Sequence, residues 1–199
     1  MNKQNEKIGV LEKLGFSFFA TSVNVAYSFK NSYYKYFLTG ILLINPIAAS
    51  NIALIGTIWD ILNDPLVGVW ANNIDFKSGE KVRPWLFWSA FPYALGMILI
   101  FTDFGVSEKW DIILAIICFL FYELANTARG IPYNGMAALA TADDKQRKSI
   151  NSFRSVGMIL GIAIGSISVP IIVKLFGGLK DHTVINSSDS SAIFKTALV

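Results

Sequence analysis

The residues best suited to chemistry lie in a short segment that places two carboxylates inside an otherwise apolar stretch. Asp60 and Asp64 are four residues apart, so in a helix both side chains lie on one face, with Asn63 beside them. Pro65 has no N–H, so the carbonyl oxygen of Ile61 loses its usual helical donor. Several oxygen atoms therefore converge, which favours binding of a small hard cation or a proton.

The surroundings of this segment are predicted to be the interior of a membrane. Residues 36–59 include no charged side chain, and Asn45 followed by Pro46 is typical of a helix start. A helix that begins there carries Asp60 roughly 21 Å along its axis, near the middle of a hydrocarbon layer about 30 Å thick. The alternative is that Asp60 and Asp64 lie at a water-exposed helix end. Carboxylates at membrane depth usually face a cavity and are functional, which favours the first interpretation.

Amino-acid composition supports a membrane protein. Hydrophobic residues make up 53% of the 199 residues, charged residues make up 16%, and the mean hydropathy is +0.49. The net charge of +3 is too small, and the basic residues too dispersed, to indicate a nucleic-acid partner. Cys118 is the only cysteine in the sequence, so neither an internal disulfide nor a cysteine metal site is expected. The expected fold class is therefore an all-α protein embedded in membrane lipid.

Mainly apolar runs separated by polar segments predict five full transmembrane helices and the start of a sixth. The helices are expected at residues 14–38, 46–70, 85–102, 110–142 and 155–173, with a sixth apolar segment near Val199. Polar loops are expected at residues 72–84, 141–148 and 177–191. Gly157, Gly161 and Gly165 recur every fourth residue in the fifth helix, which indicates close helix packing rather than chemistry.

Ionisable residues inside the predicted helices form a second group of functional candidates. Lys30 lies in the first helix, and Glu123 and Arg129 lie in the fourth. These residues are expected to be paired, because an unpaired charge is costly in hydrocarbon. We predict that Arg129 neutralises a carboxylate of the second helix when the cation is absent. Glu123 and Lys30 are predicted to face a central cavity.

The distribution of basic residues predicts the orientation in the membrane. One set of loops holds Lys3, Lys7, Lys13, Lys77, Lys81, Arg83, Lys145, Arg147 and Lys148, whereas the other loops hold Lys109, Lys174 and Lys180. Lys and Arg accumulate in cytoplasmic loops, so the first set is expected to be cytoplasmic. The chain is therefore predicted to be a multi-pass protein of the cytoplasmic membrane, with its N-terminus in the cytoplasm.

Three motifs extend this interpretation over nearly the whole chain. The second helix reads Trp59-Asp60-Ile61-Leu62-Asn63-Asp64-Pro65, the following loop ends in Gly79-Glu80-Lys81-Val82-Arg83-Pro84-Trp85, and the fourth helix contains Gly130-Ile131-Pro132-Tyr133. The next loop and the fifth helix add Gln146-Arg147 and Ser152-Phe153-Arg154-Ser155. Together these segments resemble the glycoside, pentoside and hexuronide cation symporters of the major facilitator superfamily. The motif of the second helix is specific, whereas the glycine and basic loop is shared more widely across the superfamily.

The resemblance implies a coupling-cation site on the second helix. It would consist of Asp60, Asn63 and Asp64, with Thr127 of the fourth helix contributing an oxygen. If the protein is sodium-coupled, Asp60 and Asp64 would be the carboxylate ligands of Na⁺. The resemblance implies no cofactor besides a coupling Na⁺ or H⁺.

The resemblance is less complete at the sugar site. In a melibiose-transporting member of the family, helices one and four each present an aspartate to the sugar, and the matching positions here are Asn24 and Gly130. A tryptophan of its fourth helix corresponds to Asn134. These differences argue against the same galactoside pocket, although Asn24, Asn126 and Asn134 could bind sugar hydroxyls in another arrangement. Arg154 matches a family arginine on the inner side of the sugar pathway, and the alternative is an interfacial residue whose charge reaches water.

Chain length affects the functional prediction. Transporters of this fold have about twelve helices in two six-helix halves, with the substrate site between the halves. Residues 1–199 are therefore expected to be an N-terminal half that lacks the C-terminal half needed for transport. The predicted function is secondary active transport of a sugar or glycoside coupled to Na⁺ or H⁺. The alternatives are a truncated, non-transporting membrane protein and a transporter of lipid-like cargo.

An enzyme is not expected. Asp60 and Asp64 share one helix, and the single histidine, His182, lies in a predicted loop. An acid and base pair would need a partner group from another part of the chain, and no such motif accompanies the aspartates.

Overall fold

The computed structural model describes residues 8–73, 82–176 and 187–198, which are mainly helical and include no strand. Six α-helices follow one another: α1 (Val10–Tyr36), α2 (Pro46–Asn73), α3 (Val82–Leu99), α4 (Glu108–Ala140), α5 (Asp144–Leu175) and α6 (Ser187–Leu198). A π-helical turn, Phe37–Ile41, continues α1. The predicted all-α fold is confirmed. Parts of two predicted loops, with Gly79, Lys81 and His182, lie outside the described residues.

Three of the described helices are long and apolar enough to cross a membrane. They are Pro46–Ala71, Glu108–Ala140 and Asp144–Leu175, and α3 adds a shorter apolar stretch, Pro84–Leu99. The surface of α2 carries large exposed aliphatic side chains, among them Ile61 and Leu66. Such a surface is stable against lipid chains but costly in water. The protein is therefore a multi-pass membrane protein.

The start of α2 agrees with the sequence prediction. Asn45 accepts a hydrogen bond at Oδ1 from the backbone N–H of Ile47, over 2.8 Å, and the helix begins at Pro46. This is the geometry of an N-cap, in which a side-chain oxygen satisfies a backbone donor of the first turn. The preceding turn reverses the chain at Leu43, whose positive φ of 53° is uncommon for a residue with a side chain.

The predicted loop at residues 141–148 is wrong over most of its length, because α5 begins at Asp144. Asp143 accepts a hydrogen bond at Oδ1 from the backbone N–H of Lys145, over 2.9 Å, and so caps the helix. Asp144 and Arg147 then pair across the first turn, with 3.5 Å between Oδ1 and Nη1. The run of charges is therefore the exposed start of a long helix rather than a loop.

The C-terminal boundary predicted for the loop at residues 177–191 is also wrong, because α6 begins at Ser187. Serine and aspartate are unfavourable inside helices but favoured at their starts, so a serine-rich run is compatible with a first helical turn. The helix α6 contacts the π-helical turn and α3. Nearby, the rings of Phe37 and Phe101 meet edge to face, with 5.6 Å between their centroids.

The described residues fall into two compact units. The first lies within Met1–Asn31 and Asn134–Ile171, and the second lies within Ser32–Tyr133 and Ile172–Val199. The first unit is therefore built mainly from α1 and α5. The second unit contains α2, α3, α6 and most of α4.

The first unit is held by a close contact between α1 and α5. A Cβ atom added to any of Gly157, Gly161 or Gly165 would lie within 3.0 Å of an atom of α1. The facing residues are, in order, Ser17, Thr21 and Ser28. The hydroxyl of Thr21 also donates to the carbonyl oxygen of Gly157, over 3.0 Å. The glycine repeat is thus confirmed as a packing surface, and it explains why α1 has a polar face that needs no contact with lipid.

The second unit has an aromatic core. Tyr34 and Phe119 stack with 5.0 Å between ring centroids, and Tyr34 meets Phe101 edge to face. On α2, a Cβ atom added to Gly56 would overlap the ring of Phe119. The absence of a side chain at Gly56 therefore lets α2 approach α4 closely at this level.

Candidate functional site

A hydrogen bond between α2 and α4 joins two of the predicted cation ligands. The hydroxyl of Thr127 donates to Oδ1 of Asp64 over 3.0 Å. Thr127 is buried, with 8% of its surface exposed, whereas Asp64 is exposed. The carboxylate therefore has one face fixed by α4 and another open. A hydroxyl and a carboxylate in contact offer oxygen lone pairs to a hard cation, and the same carboxylate can accept a proton.

Asn63 and Asp60 complete the predicted set on α2. Asn63 is 2% exposed, and Asp60 is half-buried. Within the part of the chain that the structure describes, Nδ2 of Asn63 is buried and has no hydrogen-bond acceptor. An unsatisfied buried donor costs free energy, so an oxygen atom that arrived beside Asn63 would be stabilised there.

Trp59 adds a second buried hydrogen-bond donor on α2, which the sequence analysis did not predict. Its indole Nε1 is buried and has no acceptor among the described residues. Trp59 precedes Asn63 by one helical turn, so the two donors project from the same face of α2. The signal was available in the sequence, because the spacing of four residues relates Trp59 to Asn63 just as it relates Asp60 to Asp64.

The charged residues of α4 are linked through Asn126. Its Nδ2 donates to Oε2 of Glu123 over 3.4 Å, and its Oδ1 accepts from Nη2 of Arg129 over 2.8 Å. Glu123 is 4% exposed and Arg129 is 6% exposed, so both charges lie inside the second unit. Asn126 therefore connects an anion to a cation, a role that was not predicted for it. Its predicted sugar contact stays a prediction.

Arg129 has a further partner on α3. Its guanidinium carbon lies 4.0 Å from the centre of the Tyr93 ring. A cation over an aromatic face is attracted by the ring electrons, and the attraction is strongest where water is excluded. The sequence offered no signal for Tyr93, because its contact with Arg129 joins two different helices. The predicted neutralisation of a helix-two carboxylate by Arg129 stays a prediction.

The predicted sugar-binding residues are distributed over both units. In the first unit, Nη2 of Arg154 donates to Oδ1 of Asn134 over 2.7 Å, which brings two of them together. Asn24 instead donates from Nδ2 to the carbonyl oxygen of Ala20 in its own helix, over 2.8 Å. In the second unit, Gly130 has open space around it, since an added Cβ atom would meet nothing within 4 Å. Lys30, in the first unit, is half-buried.

The groups around Asp64 suit a hard cation better than a soft transition metal. Among the described residues, no three His, Cys, Asp or Glu side chains are placed to hold a metal ion together. The neighbouring groups are a hydroxyl, a carboxamide and carboxylates, all of which are hard oxygen ligands. The arrangement can therefore hold a small hard cation or a proton.

Fold and site together define a multi-pass helical membrane protein with polar and charged side chains buried in its second unit. The family described as MFS/sugar transport protein matches residues 15–197. The chain belongs to this family, which is part of the major facilitator superfamily, and its helices form a six-helix half of that fold.

Several individual relatives are named as symporters. An uncharacterized symporter of Bacillus subtilis, YnaJ, is 27% identical over 172 residues, which cover 86% of this chain and 37% of that protein. The putative glycoside/cation symporter YagG of Escherichia coli is 26% identical and is matched over 81% of this chain and 35% of its own length. The sodium-dependent lysophosphatidylcholine symporter 1-A of Danio rerio is 23% identical, over 79% of this chain and 30% of its own. The chain thus spans about a third of the length of these relatives.

Proposed function

We propose that this chain forms part of a secondary transporter that moves a sugar or glycoside across the cytoplasmic membrane together with Na⁺ or H⁺. The observation that carries the proposal is the contact of Thr127 on α4 with Asp64 on α2. Membership of the sugar transport family supports it, as does the similarity to a putative glycoside/cation symporter. The proposed role is transport, with no chemical conversion of the cargo.

In the proposed mechanism, Asp60, Asn63, Asp64 and Thr127 hold the coupling cation. Without a bound cation, two carboxylates one helical turn apart repel each other. Binding of Na⁺ would reduce this repulsion and fix the spacing of α2 and α4 at Thr127. If the bound cation raises the affinity for the co-transported substrate, the substrate raises the affinity for the cation by the same factor, because the coupling free energy is reciprocal.

The sugar contacts are proposed on the first unit. Arg154 and Asn134 form one hydrogen-bonded pair, and a planar guanidinium and a carboxamide suit the vicinal hydroxyls of a sugar. A lipid-like cargo is the second candidate, because a sodium-dependent lysophosphatidylcholine symporter is among the relatives. The proposed cation site is common to both candidates. The proposed orientation has the N-terminus in the cytoplasm.

The proposal is tested by removing one carboxylate charge at a time from the transporter that contains this chain. Asp60→Asn and Asp64→Asn keep the shape and remove a charge, and Glu108→Gln makes the same change at the exposed start of α4. Uptake of radiolabelled methyl glycosides and of lysophosphatidylcholine is measured with and without a Na⁺ or pH gradient. Glu108→Gln should concentrate a cargo as the wild type does.

Both aspartate variants should lose the response to the gradient. Their substrate affinity should fall several-fold to about a hundredfold, which corresponds to a coupling free energy of about 1 to 3 kcal/mol. Variants that still concentrate the cargo and still respond to Na⁺ or to pH would show that the aspartates are structural. The cargo that is concentrated distinguishes a sugar transporter from a lipid transporter.

A further inference from the structure

The tryptophan that begins the apolar part of α3 contacts both helices that carry the proposed cation site. Trp85 is 8% exposed and packs in one core with Val67 of α2 and Ala128 of α4. Its ring also meets that of Trp70 on α2 edge to face, with 5.1 Å between the centroids. Val67 lies three residues after Asp64. Trp85 therefore touches α2 within one turn of that aspartate.

The indole N–H of Trp85 makes a specific bond to the backbone of α4. It donates from Nε1 to the carbonyl oxygen of Ala128. In a regular helix that carbonyl would accept from the residue four positions later, which here is Pro132, inside α4. Proline has no N–H, so the carbonyl of Ala128 has lost its helical donor. Trp85 supplies the donor that Pro132 lacks.

This bond is adjacent to the proposed cation ligand on α4. Ala128 follows Thr127 directly, and Thr127 donates its hydroxyl to Asp64. A buried carbonyl without a donor is costly, so α4 would distort near Ala128 if the indole N–H were removed. The backbone that carries Thr127 would then lose its fixed position relative to α2.

We propose that Trp85 is a positioning residue for the cation site. Its indole N–H donates to the carbonyl oxygen of Ala128, which has no helical donor, and its ring packs against α2. Trp85 would not contact the cation. The inference rests on the proposed function, since it assigns to Trp85 the alignment of Thr127 with Asp64. A residue that orients a ligand in this way typically changes cation affinity by about tenfold or more when it is altered.

The test removes the N–H and keeps the ring. Trp85→Phe retains an aromatic side chain, and Trp88→Phe is the matched control on the same helix, where Trp88 is 64% exposed. Binding of ²²Na⁺ to the purified protein in lipid nanodiscs is the first readout. The second is proton binding, followed as a pH-dependent change in thermal unfolding that Asp64→Asn abolishes. Trp85→Phe should weaken Na⁺ or proton binding by about tenfold, and Trp88→Phe should leave it unchanged.

A double substitution separates the N–H from the packing of the ring. Pro132→Ala restores a backbone N–H that can reach the carbonyl of Ala128, so Trp85→Phe should cost much less cation affinity in that background. If the changes in cation affinity caused by the two substitutions are additive, the positioning role is overturned. Loss of ring packing would lower the affinity by the same factor with proline or with alanine at position 132. If Trp85→Phe is not recovered folded, a benzothienylalanine at position 85 keeps the bicyclic shape and removes only the N–H.

The outcomes distinguish this inference from the function on which it rests. A wild-type protein that binds neither Na⁺ nor a proton at Asp64 overturns the proposed cation site, and with it the role of Trp85. A wild-type protein that binds a cation with an affinity unchanged by loss of the indole N–H overturns the role of Trp85 alone.

Discussion

The α1–α5 contact of the first unit and the α2–α4 contact of the second unit use polar residues in different ways. In the first unit, α1 and α5 meet through glycines. Polar side chains of α1, such as Thr21 and Asn24, donate hydrogen bonds to backbone carbonyl oxygens of their own helix. In the second unit, polar side chains reach from one helix to another, as Thr127 does to Asp64. The α1–α5 contact therefore fixes one close packing of two helices. The α2–α4 contact leaves donors and acceptors whose partners can change, which is what a cation site requires.

The largest destabilisation is expected from removing a charge that is buried in the second unit. Arg129→Gln removes a cation that contacts Asn126 and Tyr93 and leaves Glu123 buried without it. Removing one partner of a buried charge network typically destabilises a protein by about 3 to 5 kcal/mol. The measurement is the free energy of unfolding in detergent micelles.

The control for Arg129→Gln is Arg147→Gln at the more exposed start of α5, which should cost less than about 1 kcal/mol. Combining Arg129→Gln with Glu123→Gln should recover part of the loss, because the buried carboxylate charge that contacts Asn126 is then removed as well. Equal destabilisation by the two arginine substitutions would show that the charges of α4 are not coupled to its packing.

A smaller loss is expected from closing the glycine contact of the first unit. Gly157→Ala places a methyl group against the backbone of Ser17, and overpacking of this kind costs about 1 to 3 kcal/mol. Gly15→Ala is the control, because a Cβ atom there would meet nothing within 4 Å. That control should be neutral or stabilising by up to about 1 kcal/mol, since alanine is the better helix former. Thermal unfolding of both variants checks the difference, and a Gly157→Ala protein as stable as the control would refute the close packing.

The sequence was sufficient to predict structural features that depend on the spacing of residues within one helix. The N-cap at Asn45 and the packing surface of Gly157, Gly161 and Gly165 are both confirmed, because each follows from the local pattern of one segment. The start of α5 was missed because charged residues were interpreted as a loop, although Asp143 is a good helix cap. A charge run at the edge of a membrane helix has the composition of a loop and the capping signals of a helix.

Contacts between helices could not be predicted from the sequence. Tyr93 over Arg129 and Trp85 on the Ala128 carbonyl join residues of α3 and α4 that no spacing rule relates. Thr127 was assigned to the cation site only through a family resemblance, and its contact with Asp64 became visible in the structure. Periodicity identifies the face of a helix, whereas its partner is decided by how the helices pack.

The central claim is that Asp64 and Thr127 form one cation site across α2 and α4. The most direct measurement is cation affinity in Thr127→Val, which keeps the shape but has no hydroxyl, compared with Thr127→Ser, which keeps the hydroxyl. Loss of one charge-assisted contact of about 1 to 3 kcal/mol predicts a drop in ²²Na⁺ or proton affinity of roughly five- to a hundredfold for valine. The serine variant should stay within about threefold of the wild type. Equal affinities for all three proteins would show that the hydroxyl is not part of the site and would contradict the account.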